Sequence, residues 1–169
     1  MKQNVGCRVT CNLSACLPSN VGQYVRAVAK AAAATTAPPT YVVDACALLR
    51  FAQAEAGGDS MRDLLYEAAA GKCKLLLHIV NLGEVVYMIG KRHGAALALQ
   101  KRAEIERLPI DVVPFSESLF WQAVSLKSKH AISYADAFAA ALAIMHDAPL
   151  LTTDSEFDAM SGVLKTQRV

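Results

Sequence analysis

The sequence predicts an α/β fold with a central, mainly parallel sheet covered by helices on both faces. Short runs of apolar, β-prone residues at 41–43, 75–79, 110–113 and 150–153 read as buried strands. Helix-length stretches separate them, with apolar residues recurring at helical spacing. Strands joined through helices need crossover connections, and crossovers place neighbouring strands parallel.

Residues 1–40 lack sustained periodicity and end in AAAATTAPPT, where the proline pair disfavours any continuing helix. They are expected to form a leader outside the fold, with a domain over 41–169. A disordered basic arm, a transit-like peptide and a start assigned too far upstream all suit this stretch. The first strand, Tyr41-Val42-Val43, runs into Asp44, and a helical stretch follows. Residues 59–70 form the next helix, stopped by Gly71 as a C-terminal cap. After the strand at 75–79, Leu82, Val85, Val86 and Ile89 stand at i, i+3, i+4 and i+7, the stripe of a helix that closes near Gly94. A helix over 95–107 leads to the strand at 110–113, stopped by Pro114. Ser116 caps a helix with Leu119, Ala123 and Leu126 on its inner face, and Ser133 caps the apolar helix 134–146.

Composition sets the outer limits. The 169 residues are 54% apolar and 19% charged, enough for one domain with a substantial core. No run of about 18 apolar residues occurs, which leaves no spanning helix. Of five cysteines, Cys7, Cys11 and Cys16 lie in the leader and only Cys46 and Cys73 in the body, without CxxC or metal-type spacing. A reducing cytoplasm is therefore the expected compartment. Residues 1–43 hold Lys2, Arg8, Arg26 and Lys30 and no acid, so removing those four from the net +2 leaves about −2 for the body. A nucleic acid would have to be met by local basic patches, not by a strongly basic overall field.

The acids carry the chemical information. In open parallel sheets the ligand crevice lies beyond the carboxyl ends of the strands. Asp44 and Asp154 each follow a strand, and Glu84 lies in the first turn or so after another. Asp136 sits three residues after its cap as the only charged side chain of an otherwise apolar helix, sharing a face with Ala139, Ala140 and Ala143. Burying a lone carboxylate is costly unless a cation or hydrogen bonds compensate it. Singly, each has a plainer reading: Asp136 as a helix N-terminal acid favoured by the macrodipole, Glu84 as a solvated residue, Asp44 and Asp154 as turn or cap residues. Together they make a self-repelling cluster at one sheet edge. Divalent cations neutralise such a cluster, and oxygen-only ligands suit Mg²⁺ or Mn²⁺ over zinc. Ions so held activate water and stabilise a leaving oxygen, which is phosphodiester hydrolysis.

Across residues 40–160 the chain resembles the PIN domain, and specifically VapC-type toxins of toxin–antitoxin pairs. The resemblance rests on YVVDACALL, NLGEVVYMI, ISYADAFAAALA and LLTTDSEFD, whose acids are 40, 52 and 18 residues apart. It implies a three-layer α/β/α sandwich and an Mg²⁺-dependent endoribonuclease, with Asp44, Glu84 and Asp136 as metal ligands and Asp154 completing or supporting the site. It also implies an RNA substrate, a cognate antitoxin and a homodimer. Two features depart from the pattern. Cys46 stands where the family commonly has Ser or Thr, and a thiol is a poorer hydrogen-bond donor. The leader has no counterpart. Cys46 and the mildly acidic body motivate an alternative, a PIN-like module that binds RNA or a partner without cutting. A phosphatase with Asp44 as nucleophile lacks the second Asp two residues on, where Cys46 stands.

Other residues carry less. Thr152 and Thr153 are second-tier candidates, and Asp158 reads as a surface acid. His78, His93, His130 and His146 lack paired spacing and are assigned no catalytic work. The basic groups Lys91-Arg92, Lys101-Arg102 and 127–130 read first as solvated helix ends. Met88, Phe120 and Trp121 read first as core, second as a surface for a dimer partner or antitoxin.

Overall fold

A computed structural model describes residues 37–53 and 58–169, so the expected 1–40 leader lies almost wholly outside the described residues. The elements run β1 (Thr40–Val43), α1 (Ala45–Ala52), α2 (Gly58–Ala69), β2 (Lys74–His78), α3 (Ile79–His93), α4 (Ala95–Ile105), β3 (Asp111–Val113), α5 (Glu117–Lys129), α6 (Tyr134–Met145), β4 (Leu150–Thr152), a 3₁₀ helix (Ser155–Met160) and β5 (Thr166–Arg168). The strands order as β3-β2-β1-β4-β5, and every pairing is parallel. The α/β class is thus confirmed, with a sheet parallel throughout the described residues.

Both faces of the sheet are covered, which explains why its central strands read as continuous apolar runs. Successive residues point to opposite faces. Val43, Leu75, Leu77 and Leu151 join the core under α1 to α4, whereas Val42, Leu76 and Leu150 join the one under α5, α6 and the 3₁₀ helix. This is a three-layer sandwich. Among the described residues, no helix is long and apolar enough to cross a membrane.

Most boundaries follow local chemistry already visible in the chain. Gly71 adopts φ +71 beyond the end of α2, and the Lys72 N–H returns to the Glu67 carbonyl, a left-handed cap open to glycine at little cost. Ser116 Oγ accepts from the Leu119 N–H and Ser133 Oγ from the Asp136 N–H, so both expected caps form. Ile79 belongs to α3 and not to the preceding strand, because His78 serves as the N-cap, its Nδ1 accepting from the Val80 N–H. Two elements were not expected. The 3₁₀ helix is started by Asp154, and β5 is an edge strand whose three residues are all exposed. β5 is held to β4 through backbone pairing from Leu150↔Thr166 to Thr152↔Arg168, with no side-chain alternation to announce it.

The strand order reverses around β1: β2 and β3 lie to one side, β4 and β5 to the other. A crevice at such a reversal opens beyond the carboxyl ends of β1 and β4. Asp44 and Asp154 each stand one or two residues past those ends.

Candidate active site

Asp44 is the most constrained acid of the crevice. Its N–H continues the sheet by donating to the Leu151 carbonyl, and its side chain then caps α1 by accepting from the Ala45 N–H at 2.7 Å. Oδ2 accepts from the Thr152 hydroxyl at 2.9 Å and from the Cys46 thiol at 2.8 Å. The residue is only 1% exposed. Burial raises its pKa from 3.8 to about 6, and Asp136 pushes the same way, against the hydrogen bonds from Cys46, Thr152 and Ala45.

Glu84 is half-buried on α3, and its pKa is also raised, by burial first and then by the charges of Asp136 and Asp44. The solvated-residue reading therefore does not describe it. Asp136 is half-buried in the first turn of α6, where its Oδ2 accepts from the Ser133 N–H at 3.0 Å and completes a capping box. The plainer reading of Asp136 is thus realised in one hydrogen bond, while its charge still acts on both other acids. Behind it Ala139, Ala140 and Ala143 are fully buried, and so are Phe138 and Leu142, which makes α6 the core helix its composition announces. Asp154 is half-buried and caps the 3₁₀ helix through Oδ1 to the Glu156 N–H.

Thr152, 0% exposed, links two of the four acids. Its Oγ1 donates to Asp44 Oδ2 and accepts from the Asp154 N–H at 3.0 Å. Cys46 joins the same cluster: besides donating to Asp44, its Sγ accepts from the Thr153 N–H and contacts Thr152 Oγ1, each at 3.3 Å. The thiol thus occupies the supporting position expected of a hydroxyl. Burial and the charge of Asp44 keep it protonated by raising its pKa. Thr152→Val is expected to cost about 1–3 kcal/mol of stability, because it strips a buried carboxylate of a donor and a backbone N–H of an acceptor. It should also weaken divalent-cation binding by about tenfold or more. Urea unfolding and calorimetric Mn²⁺ titration measure the two effects separately.

The remaining candidates sort on contact. Asp158 pairs with Arg168 at the surface, and Arg168 also donates to the Asp154 carbonyl, so β5 steadies the loop behind Asp154. Lys101 is buried against Glu104, Arg102 pairs with Glu106, and Lys127 donates to the Ile132 carbonyl at 2.6 Å. Trp121 is 59% exposed, which corrects its reading as core. It stands edge-on to Phe120 and donates to Glu117. His78 is buried, stacked on Phe138 at 4.7 Å, and its pKa is pushed down to about 4 by burial.

Asn81 was not singled out. It is 0% exposed and donates from Nδ2 to the Ala135 carbonyl at 3.1 Å, joining the first turns of α3 and α6. Its signal in the sequence is the one that marks Asp136, a lone polar side chain inside an apolar run.

Among the described residues, no three of His, Cys, Asp and Glu stand close enough to form a ready metal-holding group. The donor chemistry nevertheless fits a hard divalent cation. Asp44, Glu84 and Asp136 act on one another as like charges, and among the described residues the shifts of Asp44 and Glu84 are set by burial, other acids and hydrogen-bond donors, none of them a cation.

The PIN domain family model matches residues 41–163. Comparison with curated proteins returned no match. Among solved structures, VapBC2 from Rickettsia felis bound to a promoter DNA fragment is similar at 16% identity and a TM-score of 0.60, over 76% of this chain and 98% of that one. VapC20 from Mycobacterium tuberculosis, a toxin that cleaves the sarcin–ricin loop, is similar at 19% identity and a TM-score of 0.59, over 74% and 97%. A toxin–antitoxin complex from Klebsiella pneumoniae is similar at 15% identity and a TM-score of 0.55, over 76% and 99%. At these identities the structures speak for the fold, and the family model, spanning most of the chain, speaks for descent. The chain belongs to the PIN domain family.

Proposed function

We propose that this protein is a divalent-cation-dependent endoribonuclease of the VapC type, the toxin of a toxin–antitoxin pair. The observation that carries the reading is the mutual repulsion of Asp44, Glu84 and Asp136, unrelieved by any cationic side chain among the described residues that act on Asp44 and Glu84. Such an arrangement destabilises the fold unless charge is brought to it. Mg²⁺ or Mn²⁺ is that charge, and when bound it supplies an activated water and neutralises a phosphate oxygen.

The chain's own residues have distinct parts. Asp44, Glu84 and Asp136 hold the cation. Asp154 supports the site from the β4 side, tied to Asp44 through Thr152. The Thr152 hydroxyl and the Cys46 thiol both point their hydrogens at Asp44 Oδ2, so the other oxygen, which meets only the Ala45 N–H, has lone-pair capacity left for a ligand. Cys46 in this role supports a catalytic reading over a binding-only module. The exposed rings of Phe115, Trp121 and Tyr134 supply an aromatic surface suited to an antitoxin or a second copy of the chain.

The test is cleavage of single-stranded RNA by the purified protein. Activity is expected in Mg²⁺ or Mn²⁺, lost in EDTA and restored by either ion. Cleavage that survives EDTA, or an Asp136→Asn protein with unchanged turnover, would overturn the proposal.

A further inference from the structure

Asn81 is an amide in an otherwise apolar run, Ile79 to Leu82, and it is fully buried. Its orientation is settled by chemistry. The Ala135 carbonyl can only accept, so the amide nitrogen must face it, and the 3.1 Å contact is a hydrogen bond from Nδ2. The amide oxygen is then committed to the opposite side, where it is buried without a partner. An apolar residue of the same volume would fill the space without stranding that oxygen, so packing alone does not account for an amide here.

What the amide joins does account for it. Asn81 stands three residues before Glu84 in α3, and residues i and i+3 share a helix face. Ala135 directly precedes Asp136 in the first turn of α6. The single hydrogen bond therefore ties together the two turns that carry these acids. Glu84 and Asp136 repel each other, which would drive those turns apart. α3 and α6 also meet side by side, and Asn81 supplies a side-chain hydrogen bond from one to the other.

We propose that Asn81 is a positioning residue that fixes the separation of Glu84 and Asp136 against their repulsion, and so sets the affinity of the acidic site for its divalent cation. The inference rests on the cation-dependent reading above.

Mn²⁺ binding to the full-length protein, followed by calorimetry and by the loss of its free-ion paramagnetic signal, tests it. Asn81→Leu keeps the branched heavy-atom outline and removes the donor, and Asn81→Ser offers a hydroxyl too short to reach Ala135. Both are expected to bind Mn²⁺ at least tenfold more weakly while their thermal unfolding in EDTA stays within a few degrees of the parent. Asn81→Gln, which retains an amide donor, is expected to recover part of the affinity. Parental affinity in a folded Leu or Ser variant would overturn the inference, as would a loss of affinity that merely follows a loss of stability. A parent protein that binds no Mn²⁺ would overturn the cation-dependent reading itself, a result distinct from either.

Discussion

Asp44→Asn is expected to lose at least about a hundredfold in cation-dependent RNA cleavage and, in a chelator at pH 8, to unfold at a higher temperature than the parent. The first effect follows from removing a ligand, since even residues that merely support ligands are worth 10–100-fold in affinity or activity. The second follows from the raised pKa. Below 3.8 the carboxyl is protonated in both folded and unfolded chains. Between 3.8 and about 6 the folded protein keeps a proton that the unfolded chain has shed, so stability falls as pH rises through that window. Above about 6 the whole penalty stands, on the order of 3 kcal/mol at 1.36 kcal/mol per pKa unit. The neutral amide escapes it but must offer an NH₂ to groups that donated to the carboxylate. The thiol of Cys46 and the hydroxyl of Thr152 can turn to accept, so a gain of about 1–2 kcal/mol survives. In a domain of this size that is roughly 2–8 °C. In Mg²⁺ the order should reverse, because the parent gains about 2.7 kcal/mol at a hundred times its Kd and the variant does not. Calorimetric scans in EDTA and in Mg²⁺ read both signs, and an Asn variant no more stable than the parent in EDTA would show that ionised Asp44 is not under strain.

Cation affinity should also fall with pH, in the opposite sense to the stability of the cation-free protein. Protons compete for Asp44 below about 6, which weakens binding by about tenfold between pH 7.5 and pH 5 from this group alone. Glu84, raised by burial and by the charges of Asp136 and Asp44, steepens the fall. Titration at pH 5, 6 and 7.5, in two buffers of different ionisation enthalpy, yields the affinity and the protons released. A flat profile would remove Asp44 from the ligand set.

The difference between what the chain announced and what it withheld is physical. Helices show in the sequence because burial on one face imposes a period on side chains, central strands because burial on both faces makes them continuous apolar runs, and Ser116, Ser133 and Gly71 because a helix end needs a particular group or backbone conformation. β5 carries no such mark: Thr166, Gln167 and Arg168 are exposed and contribute through the main chain, which any residue provides. Asp44 and Asp136 could be ranked first because each is an acid against an apolar background. Glu84 on its own sequence was indistinguishable from a solvated glutamate, since what sets it apart is two charges 40 and 52 residues away. Thr152 was ordinary as a β-branched strand residue, and its role emerges only when β4 is laid beside β1. Trp121 was misplaced because a helix with low amphipathicity gives little indication of which face is outward.

The bond from Thr152 to Asp44 spans 108 positions of the chain. β1 can pair with β2 once both have been made, but β4, which closes the other flank of β1, follows only after α3, α4, β3, α5 and α6. A growing chain therefore carries Asp44 long before it carries the hydroxyl that holds it or the loop that bears Asp154. If domains fold as units during synthesis, a nascent copy has no assembled crevice until β4 and the loop after it have been made. Under the proposed function, that order leaves an interval in which an antitoxin can be in place before any cleavage begins.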